Sequence, residues 1–200
     1  MSLKILDNYI YLYDSVNFFN AKQNIEDIFK CSTDKNIWQI SYDKNINETD
    51  CTKNKKIFYL NQNDPISMLD NINNYDKEFI AKKEKMKFNL NNYAFPFINN
   101  YIKDIDISIK KIKDWTIISQ QEETNFHDDM NRNNDKHHYT VVIALNNDYG
   151  GGEIHFKNRI GNEYIKLMAG NVLIYPSNSQ YQHRELSVIN GNKYTAVTYF

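Results

Sequence analysis

Between Tyr139 and Phe200 the chain is cut by glycine and asparagine turns into short β-branched and aromatic runs. No other feature restricts the fold as strongly. All six glycines (Gly150, Gly151, Gly152, Gly161, Gly170, Gly191) lie between 150 and 191. The run Tyr139–Leu145 is strongly β-branched. The stretches Glu153–Phe156, Glu163–Leu167, Val172–Tyr175, Gln180–Leu186 and Tyr194–Phe200 follow it, and Ile112–Ser119 precedes it. Many short strands at this spacing predict a β-barrel or sandwich.

The first half is built differently. Residues 1–13 read as an opening strand or extended arm. Asp14-Ser15 predicts an N-cap for a helix through Phe18–Phe29. Short strands are expected at 37–42 and 57–60, with a polar loop over Asp43–Lys56 between them. Asn63-Asp64-Pro65 predicts a helix start. Asn91-Asn92-Tyr93 and Pro96 predict interruptions, with a further short helix around Phe97–Ile102. No linker divides the chain, so residues 1–200 are expected to be one domain: 1–110 as support and 111–200 as the β core.

Composition excludes some functions. The formal net charge of -1 argues against a dedicated nucleic-acid or membrane-surface partner. Lysine runs such as Lys82-Lys83-Glu84-Lys85 carry acidic neighbours and read as solvated helix faces. Cys31 and Cys51 have no metal-ligand spacing and suggest reduced thiols in a cytoplasmic setting. No secretory signal is evident at the N-terminus, and no segment approaches the ~20 apolar residues of a membrane span.

Chemistry concentrates where the strands are. All five histidines lie between 127 and 183. On an extended segment His127 and Asp129 point the same way, offering an imidazole nitrogen and a hard carboxylate oxygen together. His183 is the candidate third ligand, on a run where Tyr181, His183 and Glu185 share a face. Two histidines and one carboxylate on one side of a metal leave the opposite positions open, which suits iron(II) and dioxygen chemistry. A dicarboxylate electron donor on that metal needs a buried cation. Lys193 follows His183 across the turn Asn190-Gly191-Asn192, and Thr195 shares its face. His137 and His138 flank a polar loop and read as solvent-facing, and His155 reads as a structural hydrogen-bonder. Arg184, next to a ligand, faces away from it and is a candidate for a substrate carboxylate or for the surface. A lone His-x-Asp is commonly a surface pair; the ordered set downstream gives this one its weight.

That ordered set resembles a known family. His127-x-Asp129, Ala144-Leu145-Asn146, Gly151-Gly152-Glu153-Ile154-His155-Phe156, Ala169 to Ser177, and His183 to Lys193 look like the iron(II)/2-oxoglutarate dioxygenases, above all their prolyl 4-hydroxylase-like branch. The resemblance covers about residues 112–200. It implies a double-stranded β-helix (jelly-roll) core within an α+β, mainly β fold, with N-terminal supporting helices. It implies iron on His127, Asp129 and His183, and Lys193 on the far carboxylate of 2-oxoglutarate. It also places Thr140 within reach of that carboxylate and Tyr199 near the substrate entrance. Dioxygen is the implied oxidant, with ascorbate as a candidate accessory reductant. The implied reaction is hydroxylation of an unactivated C–H bond, with 2-oxoglutarate decarboxylated to succinate. A prolyl or other side chain of a peptide is the expected substrate. A small molecule or free amino acid is the alternative, and a non-catalytic β-barrel binding module is a third reading. The chain departs from the family just upstream of His127. A tyrosine is usual there, but the window reads Ile117-Ile118-Ser119-Gln120-Gln121, with Ser119 as the candidate replacement.

Overall fold

A computed structural model describes residues 2–14, 39–40, 56–60, 77–108, 111–130 and 138–200. The expected helices at 18–29 and from 63, and the loop at 43–55, lie outside the described residues.

The opening arm is a hairpin of β1 (Ser2–Asp7) and β2 (Ile10–Asp14). The strands β3 (Gln39–Ile40) and β4 (Lys56–Tyr59) come next. A helix, α1 (Lys77–Asp104), leads into β5 (Thr116–Gln120) and β6 (Tyr139–Ala144). The glycine-punctuated end supplies β7 (Gly150–Gly151), β8 (Ile154–Phe156), β9 (Tyr164–Ile165) and β10 (Val172–Pro176). It closes with β11 (His183–Glu185), β12 (Val188–Asn190) and β13 (Lys193–Tyr199).

All strand pairings among the described residues are antiparallel. Eight strands form one sheet in the order β1-β2-β10-β6-β13-β5-β4-β3, while β11-β8-β9 and β12-β7 form the facing, smaller sheets. This is the expected jelly-roll, a double-stranded β-helix core. The large sheet is buried on both faces, so its central strands read as continuous apolar runs. Val141, Ile143, Val172, Ile174 and Ala196 pack toward α1. Their neighbours Val142, Ala144, Leu173, Tyr175 and Val197 point into the barrel, against Ile154, Phe156 and Ile165 of the smaller sheet. Among the described residues no helix is long and apolar enough to cross a membrane.

Helix α1 corrects one expectation. It runs unbroken through Asn91-Asn92 and Pro96, where the sequence predicts interruptions. The residues Met86, Leu90, Ala94, Phe97, Ile98 and Tyr101 form one buried face at helical spacing. Burying each large apolar side chain stabilises by about 1.5–3 kcal/mol. An interior proline costs about 3 kcal/mol, so several such contacts outweigh it. Pro96 itself faces solvent. Asn91 is also occupied, its Oδ1 accepting from Trp115 Nε1 at 2.7 Å. Tyr101 donates its hydroxyl to the Tyr9 carbonyl at 2.8 Å, tying the helix to the opening hairpin.

A second correction concerns the approach to β11. Residues 179–181 form a 3-10 turn, because Asn178 Oδ1 accepts from Gln180 N at 3.0 Å. The strand therefore begins only at His183.

Candidate metal and cosubstrate site

His127 lies outside the named strands. It makes an isolated antiparallel bridge with His183. Each backbone N–H donates to the other's carbonyl at 2.9 Å. The bridge fixes two histidines side by side, with ring centroids 4.5 Å apart. Asp129 is pinned separately, its N–H donating to the Ser177 carbonyl at 3.1 Å. One ligand atom from each of His127, Asp129 and His183 falls within 4.8 Å of the others. His127 Nε2 is 3.9 Å from Asp129 Oδ1, and His183 Nε2 is 3.8 Å from Asp129 Oδ2. The set is graded in exposure: the His127 side chain is 37% exposed, Asp129 13% and His183 6%. The site thus opens on the His127 side and is closed behind His183.

Each imidazole is held through its Nδ1. His127 Nδ1 lies 2.8 Å from the Asn125 carbonyl, and His183 Nδ1 lies 3.3 Å from the Tyr181 carbonyl. A carbonyl only accepts, so each Nδ1 carries the proton and each Nε2 offers its lone pair to the centre. Burial holds His183 below the ordinary histidine range, more than the Asp129 carboxylate raises it. Burial alone would push the Asp129 carboxyl up. His183 and His127, together with hydrogen bonds from Tyr175 and Thr140, outweigh that and hold it low. At neutral pH the donor set is a neutral buried imidazole beside an ionised carboxylate. That combination of borderline nitrogens and a hard oxygen fits iron(II).

Two hydroxyls hold the carboxylate. Tyr175 donates to Asp129 Oδ2 at 2.8 Å and lies 3.3 Å from His183 Nε2. Thr140 donates to the same Oδ2 at 2.9 Å and exchanges a 2.9 Å bond with Ser177 Oγ. The structure brings Thr140 to Asp129. The sequence alone gives Tyr175 no role beyond its place in the Ala169 to Ser177 motif. It sits opposite Thr140 in the β10–β6 register, so both hydroxyls reach one oxygen. Outer partners of a metal ligand are worth about 10–100-fold in affinity. Tyr175→Phe is expected to weaken metal binding by about tenfold or more. Titration of the variant with Fe(II) under argon checks this.

The second half of the site lies along the same face of β11. Glu185, two residues from His183, accepts from Lys193 Nζ at 2.8 Å. Lys193 is 1% exposed, and its Nζ also donates to the Gly152 carbonyl at 2.8 Å. The glycine motif explains how the lysine fits. Gly152 has φ +70, and a Cβ there would stand 3.0 Å from Lys193 Cδ. Gly151 has φ +73, and a Cβ there would meet the Ser187 carbonyl oxygen at 2.3 Å. Both positions require glycine on conformation and space together. Thr195 and Tyr199 share the inward face of β13 with Lys193, since strand side chains alternate. Thr195 is buried, and Tyr199 packs against the Tyr175 cluster.

Other residues are placed elsewhere. Ser119 pairs with Tyr194, on the α1 side of β5, and does not replace the missing tyrosine. Gln120 does face the site. It lies directly across from Lys193, 2% exposed, with Nε2 on the Glu122 carbonyl. Among the described residues its Oε1 has no partner. Arg184 lies on the outer face of β11, its Nη1 2.7 Å from Glu123 Oε1 and its guanidinium over the Phe126 ring. It is not brought to the triad. His138 is exposed, and His137 lies outside the described residues. His155 corrects the expectation of a hydrogen-bonder. Neither ring nitrogen has a partner among the described residues, and the ring packs between Phe126 and Tyr164.

This geometry has counterparts in known proteins. The model of the 2OG-Fe(II) oxygenase superfamily matches residues 115–200. Over those residues the chain is similar to that superfamily. A PKHD-type hydroxylase from Shewanella frigidimarina is 35% identical over 60 residues, 30% of this chain and 26% of that protein. One from Psychrobacter is 39% identical over 62 residues, 30% of this chain and 23% of that protein. The match spans about a quarter of the length of these curated relatives. Among solved structures, a prolyl hydroxylase from Trichoplax adhaerens covers 96% of this chain and 84% of its own, with TM-score 0.62 and 12% identity. A viral collagen prolyl hydroxylase from Paramecium Bursaria Chlorella virus-1 covers 96% and 94%, with TM-score 0.58 and 17% identity. At these identities the structures establish a shared fold. The superfamily implies Fe(II) and 2-oxoglutarate, and the His-Asp-His set has the donors to hold the iron.

Proposed function

We propose that this chain is an Fe(II)/2-oxoglutarate-dependent dioxygenase that hydroxylates an unactivated C–H bond on a prolyl or other side chain of a peptide. The observation that carries the reading is the closed geometry of His127, Asp129 and His183. Both Nε2 lone pairs turn to the carboxylate, and both Nδ1 protons are tied to carbonyls. In this reading those three residues hold the metal, and the open side beside His127 receives cosubstrate and dioxygen. Bound iron and 2-oxoglutarate supply the oxidation: one oxygen atom enters succinate as carbon dioxide leaves, and the other enters the substrate C–H bond. The chain's own residues supply geometry. Tyr175 and Thr140 keep Asp129 in one rotamer, and Phe156 and Tyr175 wall His183 from water. Lys193 is the cation for the far carboxylate, with Thr195 beside it. The same reading treats residues 1–200 as one unit, with α1 bracing the large sheet.

A peptide is favoured over a small molecule by the groove next to the Asp129 segment. Its volume is about 820 Å³, and Tyr9, Lys111, Met130, His138, Tyr181 and Phe200 are among its walls. Met130 follows Asp129 in sequence, and Pro176 and Asn178 flank Ser177, while His127, Asp129, His183 and Lys193 are not among its walls. The Trichoplax structure was determined with a peptide fragment of a hypoxia inducible factor. The test is mass spectrometry after incubation with Fe(II), 2-oxoglutarate and air, using proline-containing peptides and, separately, free amino acids. One oxygen atom added to a peptide is the expected result. Modification of free amino acids alone would overturn the peptide assignment. No 2-oxoglutarate consumption under any condition would overturn the oxygenase reading.

A further inference from the structure

The buried lysine of the cosubstrate end already has a carboxylate on it. Lys193 Nζ has three N–H donors, and two are engaged, by Glu185 Oε1 and by the Gly152 carbonyl, both at 2.8 Å. The Lys193 side chain is 1% exposed and that of Glu185 13%, so solvent screens the pair little. Lysine and glutamate together are neutral. Acceptors beside them are the Glu185 carboxylate, the Gly152 carbonyl and the partnerless Oε1 of Gln120, directly across the strand from Lys193; a second cation near enough to Lys193 to interact with it, Lys166, is paired with Glu153 at 3.8 Å. The neighbouring donor on the same face of β13 is the Thr195 hydroxyl.

A distal carboxylate arriving here must share one ammonium with Glu185 and face Gln120 Oε1. Two carboxylates on one buried cation repel each other in a medium of low dielectric. An uncharged carboxamide meets no such conflict. Its carbonyl accepts from Lys193, and its NH2 donates to Gln120 Oε1 or to Glu185.

We propose that Glu185 is a specificity-determining residue of the cosubstrate end. Held on Lys193, it weakens binding of the dicarboxylate 2-oxoglutarate and admits a 2-oxo acid whose far end is a neutral hydrogen-bond donor. This rests on the oxygenase reading above and names the chemistry that the same pocket selects. Glu185→Gln keeps the shape and the acceptor oxygen and removes the charge.

The test is calorimetric titration of Mn(II)-loaded protein, which does not turn over, with 2-oxoglutarate and with its distal carboxamide, 2-oxoglutaramate. Glu185→Gln is expected to bind 2-oxoglutarate about tenfold tighter than wild type, equivalent to about 1.4 kcal/mol. Wild type is expected to prefer the dicarboxylate over the carboxamide by less than about tenfold. The inference is overturned if Glu185→Gln binds 2-oxoglutarate no tighter. It is equally overturned if wild type prefers the dicarboxylate by about tenfold or more. The wild-type comparison decides alone if the variant does not fold. Metal-loaded protein that binds neither ligand contradicts the oxygenase reading and this inference with it. 2-Oxoglutarate binding unaffected by Glu185 contradicts only the inference.

Discussion

His183→Ala is expected to lower Fe(II) affinity by about 100-fold or more. Outer partners of a metal ligand account for about 10–100-fold, and His183 is a donor itself. It is also the donor that nothing nearby replaces. Its Nδ1 is tied to the Tyr181 carbonyl, and its ring packs on Phe156 and Tyr175. The substitution leaves Asp129 hydrogen-bonded to Tyr175 and Thr140 and His127 bonded to the Asn125 carbonyl. The backbone bridge between positions 127 and 183 needs no side chain and should survive. Circular dichroism should therefore show a folded protein while anaerobic Fe(II) titration shows the lost site. An Fe(II) affinity equal to wild type would contradict the ligand assignment.

Lys193→Ala is the second large effect, and it has two separable parts. The first is stability. Removing the ammonium leaves Glu185 in a nearly closed site without its 2.8 Å partner. Breaking a buried ion pair from one side costs about 3–5 kcal/mol, read as a fall in unfolding free energy by urea titration. The second part is binding. The variant should still take up Fe(II), because no metal donor is touched, while 2-oxoglutarate binding falls by about tenfold or more. A double variant that also carries Glu185→Gln should recover part of the stability, because no unpaired buried charge is left. Equal loss of metal and 2-oxoglutarate in the single variant would contradict the division of the site.

The division between what the sequence displays and what it conceals follows from physical causes. Ligand chemistry admits few residue types, so His127, Asp129 and His183 stand out at their spacing, and the glycines at 151 and 152 mark where backbone must pass Lys193 and Ser187. Short β-branched and aromatic runs cut by glycine and asparagine turns announce the barrel strands. Tyr175, Gln120 and Glu185 were harder to read because their roles depend on register. Gln120 matters because it pairs with Lys193, and Tyr175 because it pairs with Thr140, across strands far apart in sequence. Within the window 117–121 only the register distinguishes Gln120, opposite Lys193, from Ser119, opposite Tyr194. In α1 the local signals from Asn91-Asn92 and Pro96 were opposed by a buried face that only the packed sheet makes favourable. Local propensity is a weaker force than tertiary burial there.

The most direct measurement is anaerobic calorimetry of 2-oxoglutarate binding to wild-type protein, with and without Fe(II). The His127-Asp129-His183 centre and Lys193 form one site only if the cosubstrate bridges them. Binding that is strong with Fe(II), and at least about tenfold weaker without it, is the predicted result. 2-Oxoglutarate that binds equally with and without iron, or binds in neither case, would contradict it.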